Sequence, residues 1–198
     1  MLRIYLNIAF MLIEKSKERI ILGIDPGTAV MGYGLVKETG SKIELISLGV
    51  VKMTHLDDHF LKLQRIFERT TSLIDQYQPD CLALEAPFYG KNIQVMLKLG
   101  RAQGVAMAAG LAKNLPIFEY SPKKVKQSIT GNGSATKEQV AAMLKQLLKF
   151  NETPEFLDAT DGLAVAVCHS FQKITSAGSG KSYSGWESFA KDNAKRLK

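Results

Sequence analysis

The sequence predicts an α/β fold built on a mixed sheet of about five strands with helices on both faces. Three observations carry that reading. Three β-like runs, 19–24, 31–38 and 43–53, follow one another with only Pro-Gly-Thr and Thr-Gly-Ser turns between them; an amphipathic helical stripe then spans 57–78; and beyond it short apolar strands alternate with helices as far as residue 174. A β-β-β-α-β-α-β-α order joins an antiparallel meander to parallel additions, and such a sheet needs helices over both faces.

Each element has its own local warrant. The first run, Arg19 to Ile24, is apolar after its first residue and stops abruptly at Asp25 and the turn Pro26-Gly27-Thr28. From Asp57 to Gln78, residues Phe60, Leu63, Ile66, Phe67, Ile74 and Tyr77 recur at helical spacing, and Pro79 with Asp80 ends the pattern. Cys81 to Leu84 reads as a fourth strand. Lys91 to Lys113 reads as a helix whose Gly100, Ala102, Gly104, Ala106, Ala108 and Ala109 suit close packing. Leu115 to Tyr120 gives a fifth strand, Ser121 to Thr130 a short helix, Ala135 to Phe150 a strongly periodic one, and Phe156 to Ile174 the last.

One domain is expected over 19–174. Met1 to Glu18 reads as a leading extension ahead of an internal start at Met11, with a short helix or a weak signal sequence as the other readings of that segment. Residues 175–198 lose periodicity and read as a flexible basic tail. Its Gly180-Lys181-Ser182 resembles the end of a phosphate-binding loop, but Thr175 stands where that motif needs glycine and no strand precedes it.

The chain carries 26 basic and 19 acidic residues, a net charge of +7, so its surface attracts polyanions, and nucleic acid is the favoured partner class. Cys81 and Cys168 sit among apolar neighbours without ligand-like spacing and read as buried reduced thiols. No run approaches the roughly 18 apolar residues of a membrane span, and a cytoplasmic location is expected.

Against that basic background, three acidic stations stand out. Asp25 and Glu85 each end an apolar strand, where an uncompensated carboxylate is unfavourable unless a cation faces it. If the first and fourth strands are parallel neighbours, both acids meet at the carboxyl ends of the sheet, where sites form in open α/β folds. Asp158 and Asp161 lie three positions apart and share a helix face. Four carboxylates without a histidine or cysteine cluster suit magnesium or manganese, not zinc. Asp158 also has a plainer reading, as an acid complementing the dipole at a helix start. His169 lies eight and eleven residues beyond Asp161 and Asp158, roughly 12 to 16 Å along the helix, too far to join the same ion. An Asp-x-Gly-Thr turn also occurs in actin-like ATP-binding folds, but those are much longer two-lobed chains.

Five segments together resemble one family. Ile-Leu-Gly-Ile-Asp-Pro-Gly-Thr followed by Gly-Tyr-Gly, Leu-Glu-Ala-Pro-Phe at 84–88, Leu-Lys-Leu-Gly-Arg-Ala-Gln-Gly at 97–104, Val-Lys-Gln-Ser-Ile-Thr-Gly-Asn-Gly-Ser-Ala at 125–135 and Asp-Ala-Thr-Asp-Gly-Leu-Ala-Val-Ala at 158–166 are similar, in order, to the RuvC family of bacterial Holliday junction resolvases. The resemblance covers Arg19 to Lys173. It implies an RNase H-like fold, a homodimer, and symmetric nicking of four-way junction DNA, with the RuvA–RuvB branch-migration complex as partner. It implies that Asp25, Glu85, Asp158 and Asp161 hold two Mg2+ ions, for which Mn2+ can substitute. Phe88 matches the family's aromatic against unpaired bases, and Lys126 and Lys137 match its lysines near the scissile phosphate. Lys91, Lys123 and Lys124 are read as DNA contacts. Two alternatives stand beside this: a related RNase H-like nuclease on RNA or another branched substrate, and a junction-binding protein without catalysis.

Overall fold

The computed structural model describes residues 18–87, 92–151 and 156–172. In chain order these form β1 (Glu18–Asp25), β2 (Val30–Thr39), β3 (Lys42–Lys52), α1 (His59–Tyr77), β4 (Cys81–Glu85), α2 (Ile93–Ala112), β5 (Ile117–Tyr120), α3 (Pro122–Thr130), α4 (Lys137–Leu148) and α5 (Phe156–Ser170). The sheet order is β3-β2-β1-β4-β5. β2 pairs antiparallel with β1 and β3, while β4 runs parallel to β1 and β5. The expected mixed sheet is therefore present, with β1 at its centre.

A central strand is buried on both faces, which is why β1 reads as a continuous apolar run. Ile21 points into a core shared with α3, α4 and α5, through Val125, Ile129, Val140, Leu144 and Leu163. Leu22 and Ile24 point the other way, into a core shared with α1 and α2 through Ile66, Leu73, Ala102 and Ala106. Strand alternation then puts Gly23 and Asp25 on the α5 face with Ile21. The β2–β3 hairpin turns at Gly40, whose φ of 63° is one that glycine adopts without strain.

Helix starts follow side-chain caps. Asp58 accepts from the Phe60 amide, Asn92 from Val95 and Ser121 from Lys124, and Thr136 forms a capping box with Gln139. These caps place α1, α2, α3 and α4 one or two residues inside the predicted limits. β5 begins at Ile117 and not at Leu115, because Asn114 is left-handed at φ 58° and Pro116 has no N–H to give a ladder. α4 stops at Leu148, where Lys149 turns left-handed at φ 53°, and α5 ends at Ser170.

Two packing expectations are corrected. The buried face of α1 is Ile66, Thr70, Leu73 and Ile74, whereas Phe60 and Phe67 are 74% and 40% exposed. At about 100° per residue both rings fall on the flank of that stripe. In α2, nothing lies within 4 Å of a side chain built at Gly100 or Gly104, and Ala108 is exposed. The close approach to the sheet is made instead by Ala102, Ala106, Ala109 and Gly110. Both cysteines are buried free thiols, as expected.

Candidate active site

The parallel register of β1 and β4 pairs Ile24 with Leu84, so Asp25 and Glu85 emerge side by side at the carboxyl end of the sheet. Both point to the α5 face. There α5 lies unusually low on the sheet, because the strands beneath it carry glycine. Gly23 and Gly34 are cross-strand partners, as are Asp25 and Gly32. A Cβ at Gly34 would lie 2.4 Å from Leu163 Cα, one at Gly23 would lie 2.4 Å from the Gly162 carbonyl oxygen, and one at Gly32 would lie 2.2 Å from the Asp158 carbonyl oxygen. Gly162 meets them from above, its absent Cβ 2.5 Å from Gly32 C and from Tyr33 Cα. This backbone-on-backbone seam brings the start of α5, with Asp158 and Asp161, down to the strand end that carries Asp25.

A cleft of about 360 Å³ results, lined by Asp25, Glu85 and Asp161, by Lys126 and Lys137, and by an apolar floor of Val125, Val140 and Ala164. Lys126 comes from α3 and Lys137 from the first turn of α4. The Lys137 ammonium donates to Asp161 Oδ2. Asp158 is exposed, one turn back on α5, and acts on the cluster through its charge.

The electrostatics show what assembling these acids requires. Burial, then the Asp161 carboxylate, pushes Asp25 up to about 6. Burial, then Asp25, pushes Glu85 up to about 8. Asp161 is also raised by burial, against the opposing pull of Lys137. Burial works against the Lys137 charge, but its hydrogen bond to Asp161 and the carboxylates of Asp161 and Asp25 outweigh that, so its pKa is raised and it stays cationic. The cleft thus gathers more carboxylates than its two lysines can pair with, and Glu85 answers by holding its proton at neutral pH. Its donor set is all oxygen, with no histidine or cysteine on the lining, which fits a hard divalent cation. Among the described residues, no three acidic, histidine or cysteine side chains close into a single ligand cluster in this arrangement, where Lys137 holds Asp161.

The structure therefore brings together Asp25, Glu85, Asp161, Lys126 and Lys137, with Asp158 alongside. Lys123 and Lys124 are exposed on α3 outside the cleft lining. Phe88 and Lys91 lie outside the described residues. His169 is not on the cleft lining, as expected, and it is packed: it is 2% exposed, its Nδ1 is 2.6 Å from the Tyr120 hydroxyl, and its ring lies 4.3 Å from that of Phe118. The sequence reading missed the role of the glycines in setting the height of α5. Their spacing carried the signal, since Gly23, Gly32 and Gly34 fall on one face by strand alternation, and Gly162 directly follows Asp161.

These five segments and this geometry have close relatives. Residues 21–169 match the family model for crossover junction endodeoxyribonuclease RuvC. A crossover junction endodeoxyribonuclease RuvC of Christiangramia forsetii is 58% identical over 188 residues, covering 93% of this chain and 97% of the relative. Among solved structures, T. thermophilus RuvC in complex with a Holliday junction substrate superposes with a TM-score of 0.71 at 32% identity, over 77% of this chain and 93% of that one. The yeast mitochondrial Holliday junction resolvase Ydc2, at 16% identity and a TM-score of 0.57 over 76% of this chain and 77% of that one, shares the fold. The mixed sheet with its acid-bearing helix is thus the RNase H-like architecture, and with the match running from β1 through the end of α5, the chain belongs to the RuvC family of crossover junction endodeoxyribonucleases.

Proposed function

We propose that this protein is a structure-selective endonuclease that resolves four-way DNA junctions by paired symmetric nicks, using magnesium held by Asp25, Glu85, Asp158 and Asp161. The observation that carries the reading is the convergence of three carboxylates and two lysines in one cleft at the carboxyl ends of β1 and β4, in a chain of this family. When bound there, two divalent ions, magnesium or manganese, supply a nucleophile at neutral pH and offset charge building on the phosphate. The protein's own part is positioning and charge. Asp25 and Glu85 are fixed by strand register, and Asp161 by the glycine seam. Lys137, which pairs with Asp161, and Lys126 line the same cleft and would hold phosphate oxygens there. Lys123 and Lys124 extend the positive surface along α3 and suit the DNA backbone.

Symmetric cuts on two like strands need two sites related by a two-fold axis, so the acting unit is a homodimer. Exposed apolar side chains on α1 and α2, among them Phe60 at 74%, Ile93 at 70% and Leu111 at 62%, support a second copy docking on that side. In this reading Phe88, three residues past Glu85, stacks on an unpaired junction base, Lys91 contacts the DNA nearby, and the RuvA–RuvB complex delivers the junction. The proposed place of action is the cytoplasm; no helix among the described residues is long and apolar enough to cross a membrane.

The deciding experiment compares cleavage of a synthetic four-way junction with cleavage of duplex, RNA–DNA hybrid and single strands, with and without magnesium. Symmetric nicks confined to the four-way junction and dependent on the metal support the proposal. Preferential cutting of a hybrid, or binding without cutting, refutes it.

A further inference from the structure

A polar side chain buried in a helix face that packs on a sheet is explained by its partners. Gln103 is such a residue: it lies on the buried face of α2 with Ala102 and Ala106, and is 7% exposed. Its Nε2 donates to the backbone carbonyl of Glu85 at 3.2 Å and to Glu119 Oε1 at 2.7 Å. An amide nitrogen has two hydrogens, so both are used. Glu119 also fixes which way the amide faces. A flipped Gln103 would set its oxygen against a carboxylate and a carbonyl at once.

The carbonyl that Gln103 takes belongs to the last residue of β4. On the other side of the same peptide unit, the Ala86 N–H donates to the Tyr120 carbonyl at 2.9 Å. A peptide unit is planar, so holding its N–H and its C=O fixes its orientation. With the β1–β4 ladder fixing the residues before it, the direction of the Glu85 side chain into the cleft is set. We infer that Gln103 is a positioning residue for Glu85, itself oriented by Glu119, and that it thereby sets how well the cleft holds a divalent cation. The inference rests on the nuclease reading above.

Gln103→Met preserves length and removes both donors. In the full chain it should slow single-turnover cleavage of a four-way junction by about tenfold or more. It should also raise the magnesium concentration for half-maximal rate several-fold and shrink the rise in Tm that manganese produces without DNA. Junction binding in calcium and the metal-free Tm should stay near wild type. Glu119→Leu should give a weaker form of the same pattern, and it carries the test if Gln103→Met does not fold. Wild-type rate and metal dependence in the variant that folds overturn the inference. So does a slowed rate with an unchanged metal requirement and an unchanged manganese shift, which would mark Gln103 as a packing residue only. Wild-type protein that cuts no four-way junction would refute the proposed function instead, and the manganese shift would still decide the role of Gln103.

Discussion

Replacing Gly162 by alanine should damage activity far more than stability. The added Cβ would sit 2.5 Å from both Gly32 C and Tyr33 Cα and 2.6 Å from the Gly32 oxygen, all backbone atoms that cannot rotate away. Ordinary contact begins near 3.4 Å, so α5 must lift by roughly 1 Å at this point. Overpacking of this kind is unfavourable by about 1–3 kcal/mol, while alanine in a helix interior returns about 1 kcal/mol over glycine. The net loss is then about 0–2 kcal/mol, a fall in Tm of at most about 8 °C for a domain of this size. Asp158 and Asp161 ride on the lifted turn, however, and a misplacement of about 1 Å lowers rate on the order of 100-fold. Gly100→Ala is the control, because its Cβ meets nothing within 4 Å and should raise Tm slightly at unchanged cleavage. The assay is thermal unfolding by circular dichroism beside single-turnover cleavage of a four-way junction. If Gly162→Ala melts higher, as the control does, and cuts at the wild-type rate, the seam does not set the site.

Other expectations follow from the same charges and surfaces. Asp25→Asn, Glu85→Gln and Asp161→Asn should each abolish nicking while junction binding survives; a variant that cuts near the wild-type rate removes its residue from the site. Because Asp25 and Glu85 titrate upward to about 6 and about 8, the folded protein keeps protons that the unfolded chain releases near about 4. Metal-free stability should therefore fall as pH rises from about 4 to 8. Melting with a chelator and with manganese across that range checks this, the difference in Tm widening toward alkaline pH. His169 has the opposite sign: burial, and secondarily the Arg19 charge, lower it to about 4. The unfolded chain gains its proton first, so stability is lost as pH drops from about 6.5 toward 4, by roughly 3 kcal/mol at most. His169 thus opposes the two acids, and a His169→Gln variant should lose stability more steeply than the wild type as pH rises from about 4 to 6.5. Phe60→Glu should shift the protein from dimer to monomer in sedimentation velocity and leave α1 folded; an unchanged dimer would place the interface elsewhere.

Much of the fold was legible because its signals are local. The run Ile20 to Ile24 is apolar at every position but its glycine, as a strand covered on both faces must be, and Pro79 with Asp80 stands just past Tyr77, where α1 ends. The juxtaposition of Asp25 with Glu85 was legible too, since a carboxylate ending each of two parallel strands leaves little choice of place. What the sequence hid is set between elements. Nothing local distinguishes Phe60 from Ile66 as a buried residue, because the register of α1 on the sheet depends on the whole face it covers. Likewise Gly104 and Gly162 are both helical glycines between one polar and one apolar residue. Only the height of a helix above its sheet decides that one is open and the other closed by backbone. Gln103 is the subtler case: its burial follows from the small-residue face of α2, but its partners, Glu85 and Glu119, lie 18 and 16 residues away on two strands.

The glycine seam and the raised acids are two sides of one arrangement. Lowering α5 onto β1 and β2 sets the start of that helix against the strand end and helps to bury the carboxylates there. Desolvation, and after it repulsion, opposes the ionised site in the metal-free protein, which is why Asp25 and Glu85 hold protons above the usual carboxylate range. Lys137 relieves only Asp161 directly. A bound divalent cation would reverse the balance, since the closeness that raises these pKa values in its absence strengthens its coordination when it enters. Proton release on metal binding is the direct consequence. Titrating manganese into unbuffered protein near pH 7 should release protons from Glu85 chiefly, and Glu85→Gln should suppress most of that release. An equal release from the variant would place the titrating group elsewhere and break the link between the depth of the seam and the affinity of the site.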